Sequence, residues 1–194
     1  MFSADQRLRC LMATLLFSCS AMGQEVIPLF DLSAKDAAAR WQIVNDDVMG
    51  GVSTSRAKVT EDHHLMFSGV LSLANNGGFA SVRSRPSSLG LTPGDALRIR
   101  LRGDGRDYTL NLYLRQRRTA FSYRAEIQTN RDEWLELTLP LKEFRATSFG
   151  SPVRNAGPVN PASVDGIGFM ISDKKSGRFQ LEIESIEIVR NPER

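Results

Sequence analysis

Cysteine is nearly absent from this chain. It has two, Cys10 and Cys19, both within the first nineteen residues. The remainder therefore has no disulfide framework and no thiolate metal site, and must be held by an ordinary hydrophobic core. Histidine is equally scarce, with only the adjacent His63 and His64. Neighbouring side chains on a strand point to opposite faces, so this pair is expected in a solvated turn rather than on a shared metal. Long apolar runs are missing as well, and no segment of the mature chain is expected to cross a membrane as a helix. The nucleophile elbow, the H-E-x-x-H motif, the Walker loop and the G-x-G-x-x-G fingerprint are all absent. Glu126, Glu133, Glu136 and Glu143 leave a glycosidase-type carboxylate pair as the remaining route to catalysis, and without further support no enzyme is expected. A formal charge of +3 is too small for a nucleic-acid footprint.

What the chain does contain begins with a leader-like segment. Arg7 and Arg9 precede a short apolar stretch from Leu11 to Phe17, and Ala21-Met22-Gly23 offers a small-residue cleavage site. Residues 1–23 are thus expected to be a signal peptide, and the protein to be periplasmic or secreted. Cys19 suggests a lipid-anchored variant as the lesser alternative. Residues 24–194 are expected to form one domain, without cysteine.

From Leu65 onward the pattern has a period of two. Leu97, Ile99 and Leu101 alternate with Arg98, Arg100 and Arg102, and Leu110, Leu112 and Leu114 alternate with Asn111, Tyr113 and Arg115. The polar turn Gln116-Arg117-Arg118 leads into a returning strand with Phe121, Tyr123, Ala125 and Ile127. Further strands are expected around Leu65 to Leu73, Phe79 to Arg83, Trp134 to Leu139, Ile167 to Ile171 and Phe179 to Ile188. A bulge near Glu184-Ser185 would absorb a slip in apolar phase. One short helix is expected between Ser33 and Trp41, and a long loop crossing between sheets from Gly150 to Pro161. Evenly spaced strands without a βαβ rhythm predict an all-β antiparallel β-sandwich of the jelly-roll kind.

Two glycine-rich runs stand out: Asn45-Asp46-Asp47-Val48-Met49-Gly50-Gly51-Val52-Ser53 and Asn75-Asn76-Gly77-Gly78-Phe79 leading to Arg83. Paired glycines after Asn and Asp admit positive φ and close backbone approach, which serves a tight turn or a ligand. The candidate binding residues are Asn45, Asp46, Asp47, Met49, Gly50, Gly51, Ser53, Asn76, Gly77, Gly78, Phe79 and Arg83. The acidic cluster lacks the alternating spacing of a calcium loop, so no metal and no cofactor is expected. A second candidate is a polar sheet face built from Arg98, Arg100, Arg102, Asn111, Tyr113, Arg115 and Arg124, suited to an acidic or sugar ligand. The plain alternative is the wet side of a sheet.

These runs resemble the complex I intermediate-associated protein 30 family. The resemblance rests on Trp41 followed by residues 45–53, then Phe67-Ser68-Gly69, then Gly77-Gly78-Phe79-Ala80-Ser81-Val82-Arg83. Leu141-Lys142-Glu143-Phe144, Ile167-Gly168-Phe169-Met170-Ile171-Ser172-Asp173-Lys174 and Gly177-Arg178-Phe179 extend it. It implies a galactose-binding-like β-sandwich and a non-catalytic assembly role for the respiratory NADH:ubiquinone oxidoreductase. Joined to the leader, it predicts a protein-interaction or assembly module of the cell envelope with a protein partner. Carbohydrate or cell-surface polymer binding is the alternative, with Trp134 and Tyr113 as the outward rings it would use.

Overall fold

The computed structural model describes residues 24–115 and 121–191. The leader-like segment with Cys10 and Cys19, and the expected turn at Gln116-Arg117-Arg118, lie outside the described residues. Among those described, two antiparallel sheets account for the regular structure, joined by short 3-10 turns.

The first sheet holds β1 (Val26–Pro28), β3 (Thr54–Val59), β4 (Leu65–Leu71), β6 (Ala96–Asp104), β9 (Arg131–Pro140) and β13 (Gly177–Val189), in the order β3-β4-β13-β6-β9 with β1 also on β13. The second holds β2 (Trp41–Asn45), β5 (Ala80–Ser84), β7 (Asp107–Leu114), β8 (Phe121–Gln128), β10 (Arg145–Ser148), β11 (Ser151–Pro152) and β12 (Val164–Ile171), in the order β11-β10-β8-β7-β12-β5-β2. The inner faces meet in one core. Leu97, Ile99 and Leu101 are fully buried from the first sheet, and Leu110, Leu112, Ile167 and Phe169 from the second. Each such aliphatic side chain contributes about 1.5–3 kcal/mol by leaving water, which is why the period-two pattern fixes the register. The bulge is where the phase slip places it: β13 shifts register against β6 between Ile183 and Ser185.

Three expectations are corrected. The segment from Ser33 to Trp41 forms only a 3-10 turn, Ala37–Arg40. Ser33 bonds back to Asp31 instead of capping a helix. The 150–161 segment does not cross between sheets, because it leaves β11 and returns to β12 within the second. The composite arginine face does not exist: Arg98, Arg100 and Arg102 lie on β6 of the first sheet, whereas Asn111, Tyr113 and Arg124 lie on the second. Alternation along each strand was readable, but sheet membership depends on pairings between distant segments.

Candidate functional site

The two glycine-rich runs are two successive crossings of the chain between the sheets. Residues 46–53 carry it from β2 to β3, and residues 72–79 carry it back from β4 to β5. The Asp46 carboxylate clasps them together. Its Oδ1 accepts from the Ser53 N–H at 2.9 Å, and its Oδ2 from the Ser53 hydroxyl at 2.6 Å, the Gly78 N–H at 2.6 Å and the Phe79 N–H at 3.3 Å. The Ser53 Oγ in turn accepts the Ser72 N–H at 3.0 Å. Asn45, the last residue of β2, accepts the Ser55 hydroxyl at 2.6 Å.

Asp46 is buried. Burial opposes its ionisation, but the Ser53 hydroxyl and the N–H groups of Gly78, Ser53 and Phe79 outweigh that and hold its carboxyl below the ordinary carboxylate range. The glycines are required by closeness. A Cβ on Gly51 would stand 2.3 Å from Asp46 Cγ, and one on Gly77 2.5 Å from Asp46 Oδ2. Gly50 adopts φ +88° to close the 3-10 turn Asp46–Met49.

The structure thus brings Asn45, Asp46, Gly51, Ser53, Gly77, Gly78 and Phe79 together, with Asp46 spent on the fold's own backbone. Asp47, Met49, Gly50 and Asn76 face solvent. Beside the clasp lies an apolar rim that the spacing of the motif did not reveal. Val48 is 67% exposed, Met49 60%, Val52 52%, Val70 45% and Leu73 43%. These are all the strongly exposed large apolar side chains among the described residues except Phe149. The exposed Val, Met and Leu residues were the only sequence signal, and sequence alone could not show them outside the core.

Arg83 and Tyr113 lie elsewhere, on the outer face of the second sheet, with the guanidinium carbon 4.8 Å from the ring centroid. Arg124 shares that face. Burial pulls the pKa of Arg124 down, and the nearby Arg83 pulls it further, against an opposing contribution from Tyr113. Arg115 sits past β7, exposed, its N–H bonded to the Ser163 carbonyl at 2.8 Å. On the first sheet the outward arginines of β6 are neutralised by β13: Arg98 pairs with Glu187 at 2.8 Å, Arg100 with Glu184 at 2.6 Å and Arg102 with Glu182 at 2.6 Å. His64 is not simply solvated, because its Nδ1 lies 2.8 Å from Glu182. Glu126 is on β8 and Glu136 on β9, in different sheets. No group of three metal-ligating side chains occurs among the described residues.

Comparison with known proteins follows the same outline. A family model described as Complex I intermediate-associated protein 30 matches residues 30–183. A mouse (Mus musculus) protein named Complex I intermediate-associated protein 30, mitochondrial, is 25% identical over 179 residues, 81% of this chain. The chain spans about half the length of that relative, 54%. Among solved structures, the family 11 carbohydrate-binding module from Clostridium thermocellum, in complex with a β-1,3-1,4-mixed-linked tetrasaccharide, superposes with a TM-score of 0.61 at 14% identity. That match covers 85% of this chain and 95% of the module. An agarase, AgWH50C, gives 0.62 at 12% identity over 86% of this chain and only 25% of the agarase. At such identities these likenesses establish the β-sandwich and nothing further. The mouse relative corrects the expected location. Its name is mitochondrial, so the periplasmic or secreted assignment falls, and the anchor at Cys19 with it. Basic residues before a short apolar stretch are not peculiar to secretory leaders.

Proposed function

Because this chain belongs to the complex I intermediate-associated protein 30 family, we propose that it is a non-catalytic assembly module that docks onto a protein partner through the apolar rim beside Asp46. The observation that carries this reading is that rim: Val48, Met49 and Val52 from one crossing and Val70 and Leu73 from the other side of the clasp stand in water. Exposed apolar groups gathered around one rigid feature are what a protein interface buries. The clasp supplies the rigidity, since four hydrogen bonds to one carboxylate leave these segments little freedom to rearrange. The partner, by analogy with the mouse protein's name, belongs to an assembly intermediate of complex I.

Carbohydrate binding has less support. The two rings it would use lie on opposite sheets, and each is covered by arginine: Tyr113 by Arg83 at 4.8 Å, and Trp134 by Arg100 at 5.2 Å and Arg102 at 4.9 Å.

The test is co-migration on native gels of the full chain with complex I intermediates, comparing wild type with Met49→Asp/Val52→Asp. Wild type is expected to co-migrate and the double variant to be lost from the band while remaining folded by circular dichroism. A wild type that never co-migrates overturns the assembly role. A double variant that co-migrates normally overturns the rim as its docking surface.

A further inference from the structure

The hairpin that joins β10 to β11 has a two-residue turn, Phe149-Gly150, because Ser148 and Ser151 pair directly. Both turn residues have positive φ, +48° at Phe149 and +78° at Gly150. Hairpin turns of this hand favour Asn or Asp before the glycine, since other side chains are strained there. Among the described residues, eight that are not glycine have positive φ, and seven of these are Asn, Asp, His or Lys. Phe149 is the exception, and it is 63% exposed. A phenylalanine at this tip strains the backbone and also wets an apolar ring. It gives the fold neither an easy turn nor a core side chain.

The turn stands at one end of the second sheet, and the register shows which strands end beside it. Ser148 pairs with Phe121 at the start of β8, whose Tyr123 pairs with Leu112 near the end of β7. Leu114 at the end of β7 pairs with Val164 at the start of β12, and Ser84 at the end of β5 pairs with Trp41 at the start of β2. The chain just outside these ends is basic. Arg115 follows β7, Arg85 follows β5 and Arg40 precedes β2, all three exposed. The Arg85 Nε donates to the Ala39 carbonyl at 2.7 Å, which holds its guanidinium at this end. Arg124 starts further in on β8, but its Nη1 reaches to 4.0 Å from where a Cβ on Gly150 would stand. From β10 to β2 the edge runs about 24 Å, five strand spacings of about 4.8 Å. Among the described residues beside these strand ends, the acids are Asp36, paired with Arg40 at 3.2 Å, and Asp165, which is buried.

We propose that this end of the sandwich rests on an anionic membrane surface, with the Phe149 ring among the lipid headgroups and Arg85, Arg115 and Arg124 against their negative charge. One ring or a few cations alone hold a membrane weakly, and the two together give a reversible contact. A second copy of this chain is the poorer occupant, because it would set the band of arginines against its own like charge. An acidic protein would have to answer spaced cations one by one, whereas a leaflet spreads its charge in a plane, as this edge does. The Asp46 crossings leave β2 after Asn45 and enter β5 at Ala80, at the opposite end of both strands. The membrane surface therefore does not rest on the assembly reading.

Co-sedimentation of the full chain with phosphatidylcholine vesicles, with and without about one fifth phosphatidylserine, tests it. Binding is expected on the anionic vesicles only, and should fade as salt is raised. Phe149→Asn should weaken it roughly tenfold or more, the effect of one buried ring. The same variant should raise the thermal unfolding midpoint, because asparagine accepts the turn's φ and is at home in water. Arg115→Gln should weaken binding roughly fivefold, the effect of one cation at a charged leaflet. Met49→Asp/Val52→Asp, at the far end, should leave it unchanged, so the rim can fail without this surface failing. A wild type that ignores the anionic vesicles, or a Phe149→Asn variant that binds them equally well, overturns the proposal. So does a Phe149→Asn variant less stable than wild type, since the ring would then serve the fold. If the vesicles are ignored while Phe149→Asn is lost from the complex I intermediate band on native gels, the tip belongs to a protein interface instead.

Discussion

Asp46 holds Ser53 twice, taking its backbone N–H on one carboxylate oxygen at 2.9 Å and its hydroxyl on the other at 2.6 Å. That bidentate grip fixes the crossing from β2 to β3, and the same carboxylate reaches Gly78 and Phe79 on the return crossing. A buried charge with this many donors is costly to break from one side, because the donors stay behind without an acceptor. Asp46→Asn turns part of the acceptor into a donor facing N–H groups. It should cost about 3 kcal/mol or more in chemical denaturation, against about 1–2 kcal/mol for Ser53→Ala. The double variant should fall well short of the sum, since the two residues share one network. Additive losses would show that they act separately.

The same carboxylate predicts how stability responds to acid. Asp46, Asp173 and Glu182 all resist burial's upward pull through hydrogen bonds, from Ser53 and backbone N–H groups, from Arg106, and from His64 and Arg102 respectively, and all three ionise below their ordinary range. A carboxyl whose folded pKa is depressed adds stability that is complete above the unfolded pKa, near pH 4, and is lost as pH falls through the folded value. The unfolding midpoint in urea should therefore be nearly flat from pH 7 to about 5 and drop steeply below about 4. Asp46→Asn should lower the plateau and make the acid drop shallower. A drop as steep as wild type would mean that Asp46 is not one of the groups responsible.

Adjacent glycines separate two kinds of requirement. Gly50 has open space around its missing Cβ but a φ of +88°, whereas Gly51 would drive a Cβ to 2.3 Å from a carboxylate that cannot retreat. Gly50→Ala should cost about 1 kcal/mol through backbone strain. Gly51→Ala should cost about 2–3 kcal/mol through overpacking and disturbance of the Asp46 bonds. Equal losses at the two positions, measured by thermal unfolding, would refute the distinction.

β6 was legible because burying Leu97, Ile99 and Leu101 while leaving Arg98, Arg100 and Arg102 half-exposed makes a period that no partner is needed to read, whereas on β7 Asn111 and Tyr113, polar in the pattern, are buried as well. β2 and β3 were not read as strands: β2 is short, and alternation on β3 is between half-buried and exposed side chains only. The glycine runs announced turns. Their meeting was invisible because Ser53 and Gly78, the donors that converge on Asp46, lie 25 positions apart in the chain. The outer arginines looked alike in sequence. Only the ion pairs show that Arg98, Arg100 and Arg102 are answered by β13 glutamates, whereas the Nε groups of Arg83 and Arg124 donate to serine hydroxyls.

Asp173 shows the same dependence on a distant partner, and yields a sharper test. Its carboxylate receives the Arg106 guanidinium in a fork, at 2.9 Å from Nε and 2.6 Å from the terminal nitrogen, and both side chains are nearly buried. Arg106 also donates to the carbonyls of Gly177, Arg178 and Lys175, so it binds the turn after β6 to the start of β13 and the loop before it. Arg106→Met should cost about 3–5 kcal/mol, because it strands a buried carboxylate. Arg106→Lys should recover little, since one ammonium cannot span the fork and the carbonyls together. Replacing both partners, Arg106→Met with Asp173→Leu, should be less damaging than Arg106→Met alone, as an apolar pair leaves no unpaired charge. If the double variant is instead the least stable of the series in urea, the carbonyl bonds of Arg106 outweigh its ion pair, and the tie is a backbone clamp first.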